Sequence, residues 1–215
     1  MQRKPWKSAG LKVLWSVSWT LLMLCPHASS ALESPQLTVK TNVERAMTIL
    51  KDPAYQGKAN FSQRLAKLEE ILLPQIDTWE FGRRCLGTHW EPLTDAQRRE
   101  FIRLFKNLVE KAYGGMLDRY TDGVRFSYEG ERIDGEFAEV DVYVIRAEQT
   151  TPLSITYRLH QKDGQWLLYD VVAENVDLVR NYRVQFDRLL SHGSFEELTQ
   201  TLERKIKELE TPPAS

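Results

Sequence analysis

Apolar positions recur at helical spacing through the first half of the chain and at alternate positions through its middle. Val43, Met47 and Leu50 repeat every three or four residues, as do Phe61, Leu65, Leu68 and Leu72, a set that ends before Pro74. A short helix is expected from Gln75 to Leu86, stopped at Gly87. Thr94 and Gln97 form a capping box at the head of a long helix whose stripe is Phe101, Leu104, Phe105, Leu108 and Ala112. Gly114-Gly115 is expected to bend that helix before Met116, Leu117 and Tyr120.

At Asp122-Gly123 the period drops to two. Val124, Phe126 and Tyr128 alternate with polar residues, then Ala138, Val140, Val142 and Val144, then Leu153, Ile155, Tyr157 and Leu159. Asp163-Gly164 is a two-residue hairpin signal leading into Gln165–Val172, a strand apolar on both faces and therefore expected to be central or covered twice. Helical spacing returns with Leu178, Tyr182, Phe186 and Leu189-Leu190 behind Asp177, and again with Leu198, Leu202, Ile206 and Leu209 behind Ser194. The expected class is α+β, a single domain. A four-stranded antiparallel sheet (123–174) is flanked by amphipathic helices at 35–120 and 177–210, with a tail at 211–215.

The N-terminus changes the setting. Arg3, Lys4, Lys7 and Lys12 precede an apolar run from Val13 to Leu24, too short to span a bilayer, and small residues at Ser29-Ser30-Ala31. Residues 1–31 are expected to be a cleavable export signal and 32–210 the working domain, placed in the periplasm. Cys25 does not read as a lipidation site, because Leu24 stands where a small residue is needed. The leader holds four of the 29 basic residues and none of the 30 acidic ones, so the remainder has a net charge of about −5. Such a domain repels nucleic acid, and no basic stripe interleaved with aromatics offsets this. Cys85 is then the one cysteine left, so no internal disulfide is available and the fold must rest on its apolar core.

Candidate chemistry is sparse. His89, His160 and His192 have no metal-ligand spacing, and His160 and His192 read as solvated. Cys85 reads as a buried small hydrophobe. Asp170 among apolar neighbours has two readings: a general base in a sheet-lined cup, or a carboxylate bonded to backbone or arginine. There is no phosphate loop, nucleophile elbow or paired-carboxylate motif, and no cofactor is expected.

Three stretches carry a resemblance to the MlaC family of periplasmic phospholipid-binding proteins, also labelled toluene-tolerance auxiliary components. They are Leu86-Gly87-Thr88-His89-Trp90 running into Leu93–Phe101, then Gly164-Gln165-Trp166-Leu167-Leu168-Tyr169-Asp170-Val171, then Asn181-Tyr182-Arg183-Val184-Gln185-Phe186. The chain departs from the family where Glu174-Asn175-Val176-Asp177 replaces a common Glu-Gly-Val-Ser; Asn tolerates a left-handed backbone and Asp can cap a helix, so the turn should persist. The resemblance implies a non-enzymatic carrier. It would take a phospholipid between an outer-membrane lipoprotein complex and an inner-membrane ABC transporter.

Carrying such a lipid is a problem of hydration. Two acyl chains hold roughly thirty methylenes, each costing about 0.8 kcal/mol to expose, so free crossing would cost on the order of 24 kcal/mol. An apolar slot between sheet and helices answers this. The candidate roof is Phe101, Leu104, Phe105 and Leu108, and the candidate floor is Val142, Val144, Ile155, Tyr157, Trp166 and Leu168, with Tyr182 and Phe186 at the mouth. The competing expectations are a carrier for another lipid such as a hopanoid, a small cup-shaped enzyme using Asp170, and a structural adaptor.

Overall fold

Ser34 opens α1 (Pro35–Lys51): its hydroxyl accepts from the Leu37 amide, and Pro35 fills the first turn. The structure, a computed structural model, describes residues 32–115, 123–147 and 149–210. Two 3-10 turns lead into α2 (Phe61–Leu72), which runs on into a third at Leu73–Gln75, where Pro74 cannot continue the helical ladder. Helix α3 (Thr78–Leu86) begins later than its apolar spacing predicts, because Asp77 caps it by accepting from the Glu80 amide. Its end is Gly87, at a φ of 56°. Helix α4 (Asp95–Tyr113) carries the expected Thr94–Gln97 capping box. The expected continuation through Met116, Leu117 and Tyr120 lies outside the described residues, as does the export leader.

The sheet is an antiparallel meander in the order β1-β2-β3-β4-β5: β1 (Val124–Asp134), β2 (Phe137–Arg146), β3 (Leu153–Lys162), β4 (Gln165–Ala173) and β5 (Val176–Asp177). Five strands replace the expected four. Glu174 and Asn175 both adopt left-handed backbone, φ 48° and 68°, which folds the chain back so that Val172 pairs with Asp177 and Ala173 with Val176. Asp177 then accepts from the Arg180 amide at 2.6 Å and opens α5 (Leu178–Leu190). Ser194 and Glu197 cap α6 (Phe195–Glu210) reciprocally.

Two hydrophobic cores result. One is helical: Phe101, Leu104, Phe105 and Leu108 of α4 pack with Cys85 and Leu86 of α3, Tyr182 and Phe186 of α5, and Leu198 and Leu202 of α6. Gly82 permits this, since a Cβ there would sit 3.2 Å from Ile102 Cγ1 on α4. The second lies between α1 and the sheet and includes Val39, Ala138, Val140, Val142, Leu159 and Trp166. Strand β4 contributes Trp166 to the second core and also meets α3 and α5.

The polar side of the sheet is a charge ladder. Arg158 reaches Glu139 at 2.9 Å, Asp170 at 2.9 Å and Asp177 at 2.6 Å, and Arg132 pairs with Glu139 and Asp141. Arg132 first, then Arg158, holds the Glu139 carboxyl below its ordinary 4.5, and Arg132 holds Asp141 below 3.8. Asp170 moves the opposite way: burial, with the Asp177 charge beside it, raises it despite the amide of Val179 and the guanidinium of Arg158.

Two outcomes follow. Asn175→Val forces a β-branched residue into left-handed backbone and is expected to cost about 1–2 kcal/mol in urea unfolding, whereas Asn175→Gly leaves stability equal or higher. Lowered carboxylates stabilise fully above their unfolded pKa and lose that contribution as pH falls through the folded value. The melting temperature should therefore hold steady from pH 7 to 5 and fall below about pH 4. Each exposed Arg132 pair is worth at most about 1 kcal/mol, so Arg132→Gln should lower the pH 7 melting temperature by only a few degrees and flatten the acid limb.

Candidate functional site

Helix α1 lays Val39, Val43, Met47 and Leu50, with Thr38, Asn42 and Ala46, over the apolar face of the sheet, packing on it around Val39 and leaving a gap elsewhere. Between them is a cavity of about 390 Å³. Its sheet wall is Phe126 of β1, Val144 of β2, Leu153, Ile155, Tyr157 and Leu159 of β3, and Trp166, Leu168 and Ala173 of β4. Leu72, Gln75 and Ile76, around the turn after α2, form one side. Among the described residues, no charged side chain lines it. Burial pushes the Tyr157 hydroxyl up to about 12, so the ring presents an uncharged surface.

A second cavity, of about 200 Å³, lies on the other side of Ile76 and Leu168, toward the helical core; Phe81, Ile102, Phe105 and Val171 are among its walls. Ile76 and Leu168 line both spaces and pair as an isolated parallel bridge, so they form the partition. The Asp77 amide donates to the Leu168 carbonyl at 2.9 Å, which pins the partition to β4.

Five of the six floor residues expected from the sequence, Val144, Ile155, Tyr157, Trp166 and Leu168, line the larger cavity. Val142 is on the same sheet face but wholly buried in the packing beneath α1. The residues expected as roof do not line this cavity. Phe101, Leu104, Phe105 and Leu108 face α3, α5 and α6, with Phe101 and Phe105 stacked at 5.4 Å and Phe105 edge-on to Tyr182 at 4.7 Å. Phe105 also reaches the smaller cavity. Tyr182 and Phe186 are buried in that helical core and stand at no mouth. The physical reason is that the α4 stripe meets aromatic partners on α3 and α5 and aliphatic ones on α6, and buries its area there. The roof is α1, whose stripe of Val43, Met47 and Leu50 was legible as a helix but not as the sheet's cover.

Asp170 is 2 % exposed, and both its oxygens are engaged. Oδ1 accepts from the Val171 and Val179 amides at 2.8 and 3.1 Å, and Oδ2 accepts from Arg158 at 2.9 Å. It lines neither cavity and fastens α5 to β4. His160, expected to be solvated, is instead largely buried: its ring stacks on Phe137, meets Tyr169 edge-on and lies 3.2 Å from Asp77 Oδ2 without hydrogen-bond geometry. Cys85 is fully buried, and that burial pushes its thiol pKa up, as suits a packing residue.

Known proteins agree with this architecture. The family model described as MlaC protein matches residues 40–204. The intermembrane phospholipid transport system binding protein MlaC of Haemophilus influenzae is 26% identical over 113 residues, which cover 51% of this chain and 53% of that protein. The match thus spans about half the relative's length. The solved structure of the phospholipid-binding protein from Ralstonia solanacearum, in complex with a phospholipid, is similar with a TM-score of 0.76 at 25% identity, covering 83% of this chain and 100% of that one. With the family model matched over more than half of its length, this chain belongs to the MlaC protein family.

Proposed function

We propose that this protein is an exported carrier that holds a phospholipid by its acyl chains beneath α1. It moves the lipid through the periplasm between an outer-membrane lipoprotein complex and an inner-membrane ABC-type transporter. The observation that carries the reading is the cavity itself: about 390 Å³ without a charged side chain on its wall, within the range of about 300–1,000 Å³ usual for small-molecule sites. Apolar walls replace the bilayer for the chains, and the absence of a buried charge keeps exchange with a membrane close to isoenergetic. The names of the Haemophilus and Ralstonia relatives support the choice of phospholipid over other lipids.

Native mass spectrometry of gently purified protein is expected to show bound phospholipid, and lipid-free protein is expected to take it up from vesicles. Ala46→Trp puts an indole into the cavity and should cut lipid occupancy by about tenfold or more, since a full site has no room for both. Leu104→Ala, in the helical core, should cost about 2–5 kcal/mol of stability while the folded fraction keeps its lipid. Repeated recovery of lipid-free wild type that takes up nothing from vesicles overturns the reading. Intact mass of the protein released by osmotic shock is expected to begin near Leu32, and a full-length membrane-bound form would overturn the export step.

A further inference from the structure

The wall of the larger cavity carries a pair of side-chain amides with unspent hydrogen-bonding capacity. Thr38 is occupied, its hydroxyl donating to Glu33 Oε2 at 3.2 Å. Asn42 on α1 and Gln75 in the turn after α2 meet across the wall, with Asn42 Nδ2 donating to Gln75 Oε1 at 3.3 Å. That bond uses one of the four amide hydrogens of the pair. The second Asn42 N–H and both Gln75 N–H groups have no partner among the described residues, and both side chains are half-buried, between the apolar cavity and solvent. Exchanging oxygen and nitrogen on both amides leaves the same number of free donors. Half-buried, these donors meet water on their solvent side, and an acceptor carried by a ligand in the cavity can take that water's place.

We infer that the Asn42–Gln75 amide pair is a binding site for the ester carbonyls at the junction of the lipid's head group and acyl chains. The inference rests on the carrier reading and sharpens it. A diacyl lipid with its tails in the cavity and its head in water places two carbonyl oxygens, acceptors with no hydrogens to donate, at the boundary where these two residues sit. Free N–H donors on a half-buried rim complement them. A free hydrocarbon or an ether-linked lipid offers no carbonyl there. The pair also joins α1 to the turn that carries Ile76, so a bound ester would hold the roof against the partition between the two cavities.

The test is competition. The purified protein is equilibrated with vesicles containing equal amounts of diester and diether phospholipid of the same head group and chain length, and the bound lipids are measured by mass spectrometry. Wild type is expected to carry the diester in about two- to tenfold excess, the range for one net neutral hydrogen bond. Asn42→Leu and Gln75→Met, close in shape to the originals, are expected to bring the ratio near one with total loading retained. The ratio is read only on loaded, folded protein, so a loss of stability does not obscure it. Equal carriage of both lipids by wild type, or an unchanged excess in both variants, overturns this inference alone. Failure of wild type to load either lipid overturns the carrier reading with it.

Discussion

Strand β4 contributes to the core beneath α1 and meets helices α3 and α5, and two buried carboxylates tie those helices to the sheet. Asp77 accepts from the Glu80 amide at 2.9 Å and from Lys162 at 2.7 Å, while its own amide donates to the Leu168 carbonyl. Asp170 gathers the Val171 and Val179 amides and Arg158. A buried charge with incomplete partners would be costly, and these two have theirs supplied from a helix amide and from a basic side chain of β3. Their balances differ: for Asp77, burial is outweighed by Lys162 and the Glu80 amide, whereas for Asp170 burial prevails. Helices α3 and α5 are therefore fastened by directional bonds. Helix α1 meets the sheet through apolar contact and the Gln36 amide on Glu131, which leaves the roof the most weakly specified wall of the site.

Most of the fold was legible because its signals are local. Caps at Thr94, Asp177 and Ser194, the period change after Gly123 and the Asp163-Gly164 hairpin each depend on residues a few positions apart. The fifth strand was harder: two residues of β structure exist only because Glu174 and Asn175 accept positive φ, and neither is glycine. The floor of the site was readable since alternation assigns a strand's faces. The roof was not, because periodicity says that a helix has an apolar face without saying what it faces. The α4 stripe is the stronger pattern, and it found partners of its own kind in α3, α5 and α6. Asn42 and Gln75 carried no signal at all, since their proximity depends on how α1 lies against the turn after α2.

The division into two cores explains how so large a space persists. Unfilled apolar volume costs about 24 cal/mol per Å³, so 390 Å³ corresponds to roughly 9 kcal/mol, comparable with the whole stability of a domain. A single core would collapse to remove it. Here the sheet is held open by its ladder and by the charge network on its far face, and the helical core is sealed separately. Methylenes entering the space gain about 0.8 kcal/mol each, so occupancy and folding stability rise together.

Apolar volume alone, however, does not orient a ligand, because the hydrophobic effect has no direction. A slot of methylene-sized width accepts a chain at any depth, and a carrier that let its cargo slide would present the head group at no fixed height to the next membrane. Direction has to come from hydrogen bonds, and strong ones would hold the cargo too well. A neutral amide meeting an ester carbonyl is worth about 1 kcal/mol net, small against the burial of two chains and large enough to favour one depth over its neighbours. The Asn42–Gln75 pair, half-buried on a largely apolar wall, would offer a bond of that order where the depth is set.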